Sequence, residues 1–264
     1  MSTIDALILG IIQGLTEFLP VSSSGHIELG KALLDIHIKE NLLVSIVLHA
    51  ATALSTIIVY RKDILDLLKD IFTFQWNEST AFALKIIISM LPVGIAGVFF
   101  KDQIESFFEG RVMLVGSMLL ITGVLLLLTT FLEKKQGKEV GFGQSLIIGL
   151  AQAIAILPGI SRSGATISTS LMIGVSREKA ARFSFLMVLP PIIGATLLQV
   201  KDYMETPVAS GQVSSFILAI GFIAAFITGL LACTLMIRLV KQGKLAYFAV
   251  YCFIVGVSAI IASL

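Results

Sequence analysis

Residues Gln13–His26 read Q-G-L-T-E-F-L-P-V-S-S-S-G-H, and this stretch decides how the rest of the chain is read. Its apolar first part carries Gln13 and Glu17 four residues apart, so on a helix the two share one face. Pro20 ends that helix, because proline has no N–H to give and clashes with the preceding turn. Ser22, Ser23, Ser24, Gly25 and His26 follow. A second stretch, Gln152–Thr166, repeats the plan as Q-A-I-A-I-L-P-G-I-S-R-S-G-A-T. Both have an apolar helix, a proline break and a Ser/Gly turn. The first offers a carboxylate, Glu17, and the second a guanidinium, Arg162.

Outward from these two stretches the chain is apolar. It is 56% hydrophobic and 14% charged over 264 residues, with a mean hydropathy of +0.98; soluble domains are about 25% charged. Runs near the ~20 residues that cross a bilayer recur. They are Leu42–Tyr60, Ala81–Phe100, Val112–Leu132, Phe183–Val200 (interrupted by Pro190 and Pro191), Phe216–Leu239 and Leu245–Leu264. The chain is therefore expected to be an all-α polytopic membrane protein. The runs Ala6–Leu19 and Gly143–Leu157 are too short to span. With Ile27–Ile36 and Ala165–Val175 they read as two re-entrant hairpins. Arg61–Thr80 reads as a mixed-charge loop with interfacial Phe72, Phe74 and Trp76.

A shift of 139 places Gly10 on Gly149, Gln13 on Gln152, Ser22 on Ser161, Ser24 on Ser163 and Gly25 on Gly164. It also places Ser45 on Ser184, Lys62 on Lys201 and Asp63 on Asp202. This predicts one integral-membrane domain over residues 1–264, with one repeat over about 1–132 and a second over about 140–264. Each repeat has a re-entrant hairpin plus three transmembrane helices. An odd number of spans per repeat inverts the second against the first, and inverted repeats place their sites near the midplane, where broken helices meet. Thirteen Lys and Arg fall on one set of loops and five on the other, with Arg162 left inside. The positive-inside rule puts the richer set in the cytoplasm and both termini outside.

A net charge of +2 and the lack of a basic cluster with interleaved aromatics argue against nucleic acid. Cys233 and Cys252 read as small core hydrophobes, with no disulfide framework or metal spacing. Asp5 precedes the first apolar run, and no Lys or Arg does, so a signal peptide is not expected there.

Ionisable groups at membrane depth are expensive and usually functional. Glu17 and Arg162 could form a buried ion pair that only joins the repeats, but the hydroxyls and glycines around them point to a ligand. Pro-Gly-Ile-Ser-Arg-Ser-Gly lets backbone N–H groups approach an anion closely. A helix starting near Gly164 would add positive potential. Arg162 offers a planar fork for phosphate oxygens, and Ser161, Ser163 and Thr166 can donate further hydrogen bonds. Glu17, with the amide oxygen of Gln13, can hold a divalent cation, Mg2+ or Ca2+, bridged to phosphate, or it can move a proton. Ser22, Ser23, Ser24 and His26 place hydroxyls beside a base. His37 and His49 have no partner that the sequence names. Glu28 and Asp35 read as solvated or helix-capping.

The two motifs closely resemble the signatures of the undecaprenyl-diphosphate phosphatase (bacitracin-resistance) family, over nearly the whole chain. The resemblance implies a bacterial inner-membrane hydrolase that converts undecaprenyl diphosphate to the monophosphate. That step recycles the lipid carrier for cell-wall synthesis and removes the diphosphate that bacitracin binds. It implies Gln13 and Glu17 as the first motif's pair, then the Ser22–Ser24 turn and His26, and Ser161, Arg162, Ser163 and Thr166 as the anion-binding part. Many members have Glu where this chain has Gln13, which shifts weight to Glu17. The expected catalytic set is Glu17, Ser23, His26 and Arg162. Gln13, Ser22, Ser24, Ser161, Ser163 and Thr166 are expected to bind substrate, and Glu17 and Gln13 the cation. Ser23 is expected to attack the terminal phosphorus while His26 manages the proton, in a pocket open to the outer leaflet; a directly activated water is the alternative nucleophile. The expected partners are a lipid diphosphate and the membrane, with room for a homodimer. A lipid or anion transporter, or a flippase, is the alternative on fold grounds, since inverted repeats and midplane charges are common there.

Overall fold

The computed structural model describes residues 1–33, 41–107, 111–134, 136–205 and 214–264. Asp35, His37, Lys39 and Lys135 lie outside them, as does the end of the Ile27–Ile36 run. Thirteen helices account for the described residues: α1 Thr3–Phe18, α2 Ser23–Leu33, α3 Asn41–Val59, α4 Arg61–Ile71, α5 Glu78–Phe99, α6 Lys101–Ser106, α7 Val112–Leu132, α8 Phe142–Ile154, α9 Arg162–Met172, α10 Arg177–Met187, α11 Leu189–Glu205, α12 Ser215–Lys241 and α13 Ala246–Ala262.

Among the described residues, four helical stretches are long and apolar enough to cross a membrane: Glu78–Phe99, Val112–Leu132, Arg177–Leu198 and Ser215–Lys241. A fifth is counted if Leu43–Val59 and Arg61–Ile71, bent by 77° at Tyr60, form one broken span. α13 has 17 residues, shorter than the Leu245–Leu264 span expected from hydropathy. α5 is apolar on nearly every side, and Ile87, Leu91, Ile95, Val98 and Phe99 are exposed along it. A helix with that surface needs an apolar solvent.

Two expectations change. Arg61–Thr80 is not a loop throughout, since its first half is the helix α4. Ile64, Leu67, Leu68 and Ile71 recur at helical spacing there, so one stripe is apolar while the charges occupy the rest. High charge density hid that period. The span expected over Phe183–Val200 starts earlier, at Arg177, and divides at Val188 ahead of Pro190 and Pro191. Ser176 caps its start, accepting from Lys179 N, and the Arg177 guanidinium makes two hydrogen bonds of 2.8 Å to the Glu133 carboxylate. A charged first turn is thus held at the helix end rather than excluded from it.

The short helices are placed by close backbone contacts. α1 lies along α12, and α8 lies along α5. At both crossings the small residue has no room for a side chain: a Cβ on Gly10 would meet Gly221 O at 2.5 Å, and one on Gly149 would meet Ser89 O at 2.4 Å. The shift of 139 that pairs Gly10 with Gly149 also carries the bounds of α2 onto those of α9. α7 and α13 pack on each other through Gly116 and Gly256, where an added Cβ on either would meet the other's carbonyl at 2.8 Å. This packing brings the two proline-broken tips together, above a core that includes Phe18, Val115, Leu119, Ile148 and Phe183.

Candidate active site

The first tip turns in two steps. Val21 N–H donates to Leu19 O at 2.8 Å across Pro20, and Ser22 then adopts φ 69°. That left-handed conformation is uncommon for a residue with a side chain and costs about 1 kcal/mol or more. It is held by dense bonding. Ser22 Oγ accepts from Gly25 N at 3.3 Å and from Gly159 N, in the second tip, at 3.1 Å. Ser22 O accepts from His26 N at 3.1 Å.

The second tip is a type II turn. Pro158 and Gly159 fill its two central positions, and Ile160 N–H donates back to Leu157 O at 3.0 Å. This turn needs φ > 0 at its third residue, and Gly159 has φ 98°. Ser161 then caps α9, accepting from Gly164 N at 3.1 Å. Thr122 on α7 holds the turn from behind, donating to Gly159 O at 2.9 Å and accepting from Ser161 N at 3.1 Å.

The tips interlock. Ser163 Oγ donates to Leu19 O at 3.3 Å. The central contact joins Arg162 Nη2 to Glu17 Oε1 at 2.5 Å, with the Glu17 side chain 6% exposed and that of Arg162 30%. The other carboxylate oxygen, Glu17 Oε2, accepts from Ser23 Oγ at 2.6 Å and from Gln13 Nε2 at 3.1 Å. One buried carboxylate therefore gathers a guanidinium, a hydroxyl and an amide from three parts of the chain. Ser24 Oγ stands 3.4 Å from Ser22 Oγ, and Ser163 Oγ 3.3 Å from Ser161 Oγ. Thr166 Oγ1 donates to Arg162 O at 2.9 Å, and its residue lines a small cavity that also touches Glu17 and Arg162.

His26 is not bonded to Ser23. Its Nδ1 is 2.9 Å from Ser22 O, which can only accept, so Nδ1 carries the proton. Its Nε2 lies 2.9 Å from Tyr251 Oη, and in the neutral ring Nε2 accepts from that hydroxyl. The rings stack with centroids 5.5 Å apart. The base within reach of Ser23 is Glu17. Sequence adjacency does not join the Ser23 and His26 side chains here, because one helical turn carries the imidazole towards α13.

Sequence reading missed Tyr251 and Thr122, each one of several scattered polar residues in an apolar run. Thr122 is buried, and a buried hydroxyl needs a partner; Tyr251 is exposed, so its one signal is the phenol at the end of an aromatic ring. His49, also set aside, has its Nδ1 2.9 Å from Ser45 O and stands within electrostatic range of Glu17. Glu28 pairs with Lys31 at 2.8 Å, and Cys233 and Cys252 are free and buried, as expected.

The residues fit a divalent cation in part. Gln13 turns its amide nitrogen to Glu17, which leaves its oxygen for a cation, and Glu17 supplies one charge. With phosphate oxygens and water this suits Mg2+ or Ca2+. No group of three or more His, Cys, Asp or Glu side chains stands together among the described residues. A cation here would thus be shared with a ligand rather than caged by protein.

The chain matches the family described as "Bacitracin resistance protein BacA" over residues 6–258. An undecaprenyl-diphosphatase of Christiangramia forsetii is 57% identical over 263 residues, covering 99% of this chain and 98% of the relative. One of Bacteroides thetaiotaomicron is 49% identical over 264 residues, and one of Alkaliphilus metalliredigens is 40% identical over 277, each covering 100% of both chains.

Proposed function

The chain belongs to the bacitracin resistance protein BacA family, and from that premise we propose that it hydrolyses undecaprenyl diphosphate to undecaprenyl phosphate. It is a multi-pass membrane enzyme that returns the lipid carrier to cell-wall synthesis and removes the diphosphate on which bacitracin acts. The observation that carries the reading to named atoms is the Ser23–Glu17–Arg162 chain, with bonds of 2.6 and 2.5 Å. It sets a hydroxyl, a proton acceptor and a cationic fork at one point. No observation favours the transporter reading.

In the proposed reaction the diphosphate lies between the two tips. Arg162 uses one N–H on Glu17 and turns its remaining donors to phosphate oxygens. Ser23 Oγ attacks the terminal phosphorus and passes its proton to Glu17. The P–O bond to the lipid monophosphate breaks, and that monophosphate departs as an anion. Water then cleaves the phosphoserine. Gln13 and Glu17 would hold a divalent cation with the substrate, which would neutralise charge on the diphosphate. His26, oriented by Tyr251, presents its ring to the same turn. The two repeats run in opposite directions through the inner membrane, with both termini outside and the pocket open to the outer leaflet.

Purified protein in detergent is expected to release phosphate from a long-chain isoprenyl diphosphate, and EDTA is expected to stop it. Absence of release would remove the hydrolase reading, and release undiminished by chelator would remove the cation. Orientation is checked separately by an impermeant thiol reagent. Lys138→Cys, in a background lacking Cys233 and Cys252, should stay unlabelled in intact cells, and labelling from outside would reverse the topology.

A further inference from the structure

Gln152 is 2% exposed and Ser184 is 4% exposed. Among the described residues Gln152 Nε2 and Ser184 Oγ have no hydrogen-bond partner. Both residues line the cavity that Glu17 and Arg162 also line. A buried donor left unpaired costs about 1–3 kcal/mol, so two at one cavity need a reason.

The two repeats supply it. Gln13, the counterpart of Gln152, donates to Glu17, but the position that matches Glu17 is Ile156. Ser45, the counterpart of Ser184, lies with its Oγ 3.3 Å from His49 Nδ1, but the position that matches His49 is Val188. The second repeat thus keeps the two polar side chains and has an apolar residue in place of each polar partner. What remains is rich in donors: an amide N–H2, a hydroxyl and the spare N–H groups of Arg162. The one carboxylate nearby, Glu17, already accepts from three donors. A donor-rich set matches an oxygen that only accepts. The cavity volume of about 20 Å³ admits a single oxygen-sized group, since one water needs roughly 10–15 Å³.

We infer that Gln152 and Ser184 form a binding subsite for one non-bridging phosphoryl oxygen of the diphosphate substrate. The inference rests on the hydrolase reading above. It gives the second repeat a contact with substrate besides Arg162, made by side chains whose counterparts in the first repeat hold Glu17 and His49. The counterpart pairs divide the work: the first repeat positions the carboxylate, and the second receives the phosphoryl group.

The test compares Gln152→Met, Gln152→Glu and Ser184→Ala with wild type in phosphate release and in thermal melting. Melting is also read with a non-hydrolysable isoprenyl diphosphonate. Ser168→Ala is the control, because Ser168 Oγ is likewise buried without a partner but does not line the cavity. Gln152→Met and Ser184→Ala should each lower kcat/KM about tenfold, the scale of one hydrogen bond. They should lose part of the stabilisation by the diphosphonate and melt at or above the wild-type temperature without it. Gln152→Glu should lose more, because it sets a carboxylate against phosphoryl oxygen. Ser168→Ala should keep wild-type kinetics. If Gln152→Met and Ser184→Ala melt higher with unchanged kcat/KM and unchanged diphosphonate response, the groups are only unsatisfied and the inference fails. If Gln152→Met does not fold, Ser184→Ala decides by the same criteria. A wild type that releases no phosphate would overturn the hydrolase reading and this one together; normal release with indifferent variants overturns this one alone.

Discussion

The two tips share a sequence plan but turn the chain by different means. In the first, Pro20 closes a tight turn and Ser22 takes the left-handed conformation, with φ 69°. In the second, Gly159 occupies the position that matches Pro20 and takes that conformation itself, with φ 98°, while Ser161 stays extended with φ −76°. Ser22 and Ser161 each cap the following helix, accepting from Gly25 N and Gly164 N. Only Ser22 also reaches across, to Gly159 N. The shared sequence plan therefore goes with the same cap and polar side chains, while the backbone solution differs. It also leaves each tip incomplete, because the carboxylate is in one and the guanidinium in the other.

The largest expected effect breaks this contact at its least forgiving residue. A Cβ on Gly159 would stand 2.5 Å from Val115 O and 2.6 Å from Met118 Cβ, in a left-handed conformation. Overpacking costs about 1–3 kcal/mol and the conformation about 1–2 more. Gly159→Ala should thus lose roughly 2–5 kcal/mol on those scales, seen as a large fall in melting temperature and loss of phosphate release. In the first tip a Cβ on Gly25 would meet Gly159 Cα at 3.0 Å in an ordinary helical conformation, so Gly25→Ala should be milder. Equal melting temperatures for the two variants would mean that the second turn is not the rigid member of the pair.

The long apolar helices were legible because length and hydropathy leave little choice for a chain that crosses lipid. The tips were legible as well. Proline followed by Ser and Gly marks a broken helix, and the charges of Glu17 and Arg162 stand out against apolar flanks. The partners of those side chains were not. Ser23 lies three residues from His26, yet its hydroxyl meets Glu17 six residues back, and His26 meets Tyr251 on α13. Such pairings depend on helix rotation and on which helices cross, which a local pattern does not encode. Thr122 is a further case: nothing in L-L-I-T-G-V sets it apart until the turn at Gly159 rests on it. α4 was missed for the opposite reason, since its charges masked a helical period that was present.

A smaller effect sharpens what Arg162 contributes. A part-buried guanidinium needs a partner, and two are at hand: the Glu17 carboxylate, 2.5 Å away, and substrate phosphate. If pairing with Glu17 is its whole role, Arg162→Lys keeps the positive charge, and both stability and activity should change little. If Arg162 also holds phosphate, the substitution removes the planar fork and leaves one compact ammonium, which cannot grip Glu17 and a phosphoryl group together. A charge-assisted contact is worth about 1.5–3 kcal/mol, and one made in the transition state about 10²–10³ in rate. The expected outcome is normal melting with turnover down at least ~100-fold, both measured on one preparation. Normal melting with near-normal turnover would make the second tip a structural clamp on Glu17 and nothing more. Unfolding of the variant would show that Glu17 depends on the fork for stability, so that the two tips are joined in the fold before they meet in the reaction.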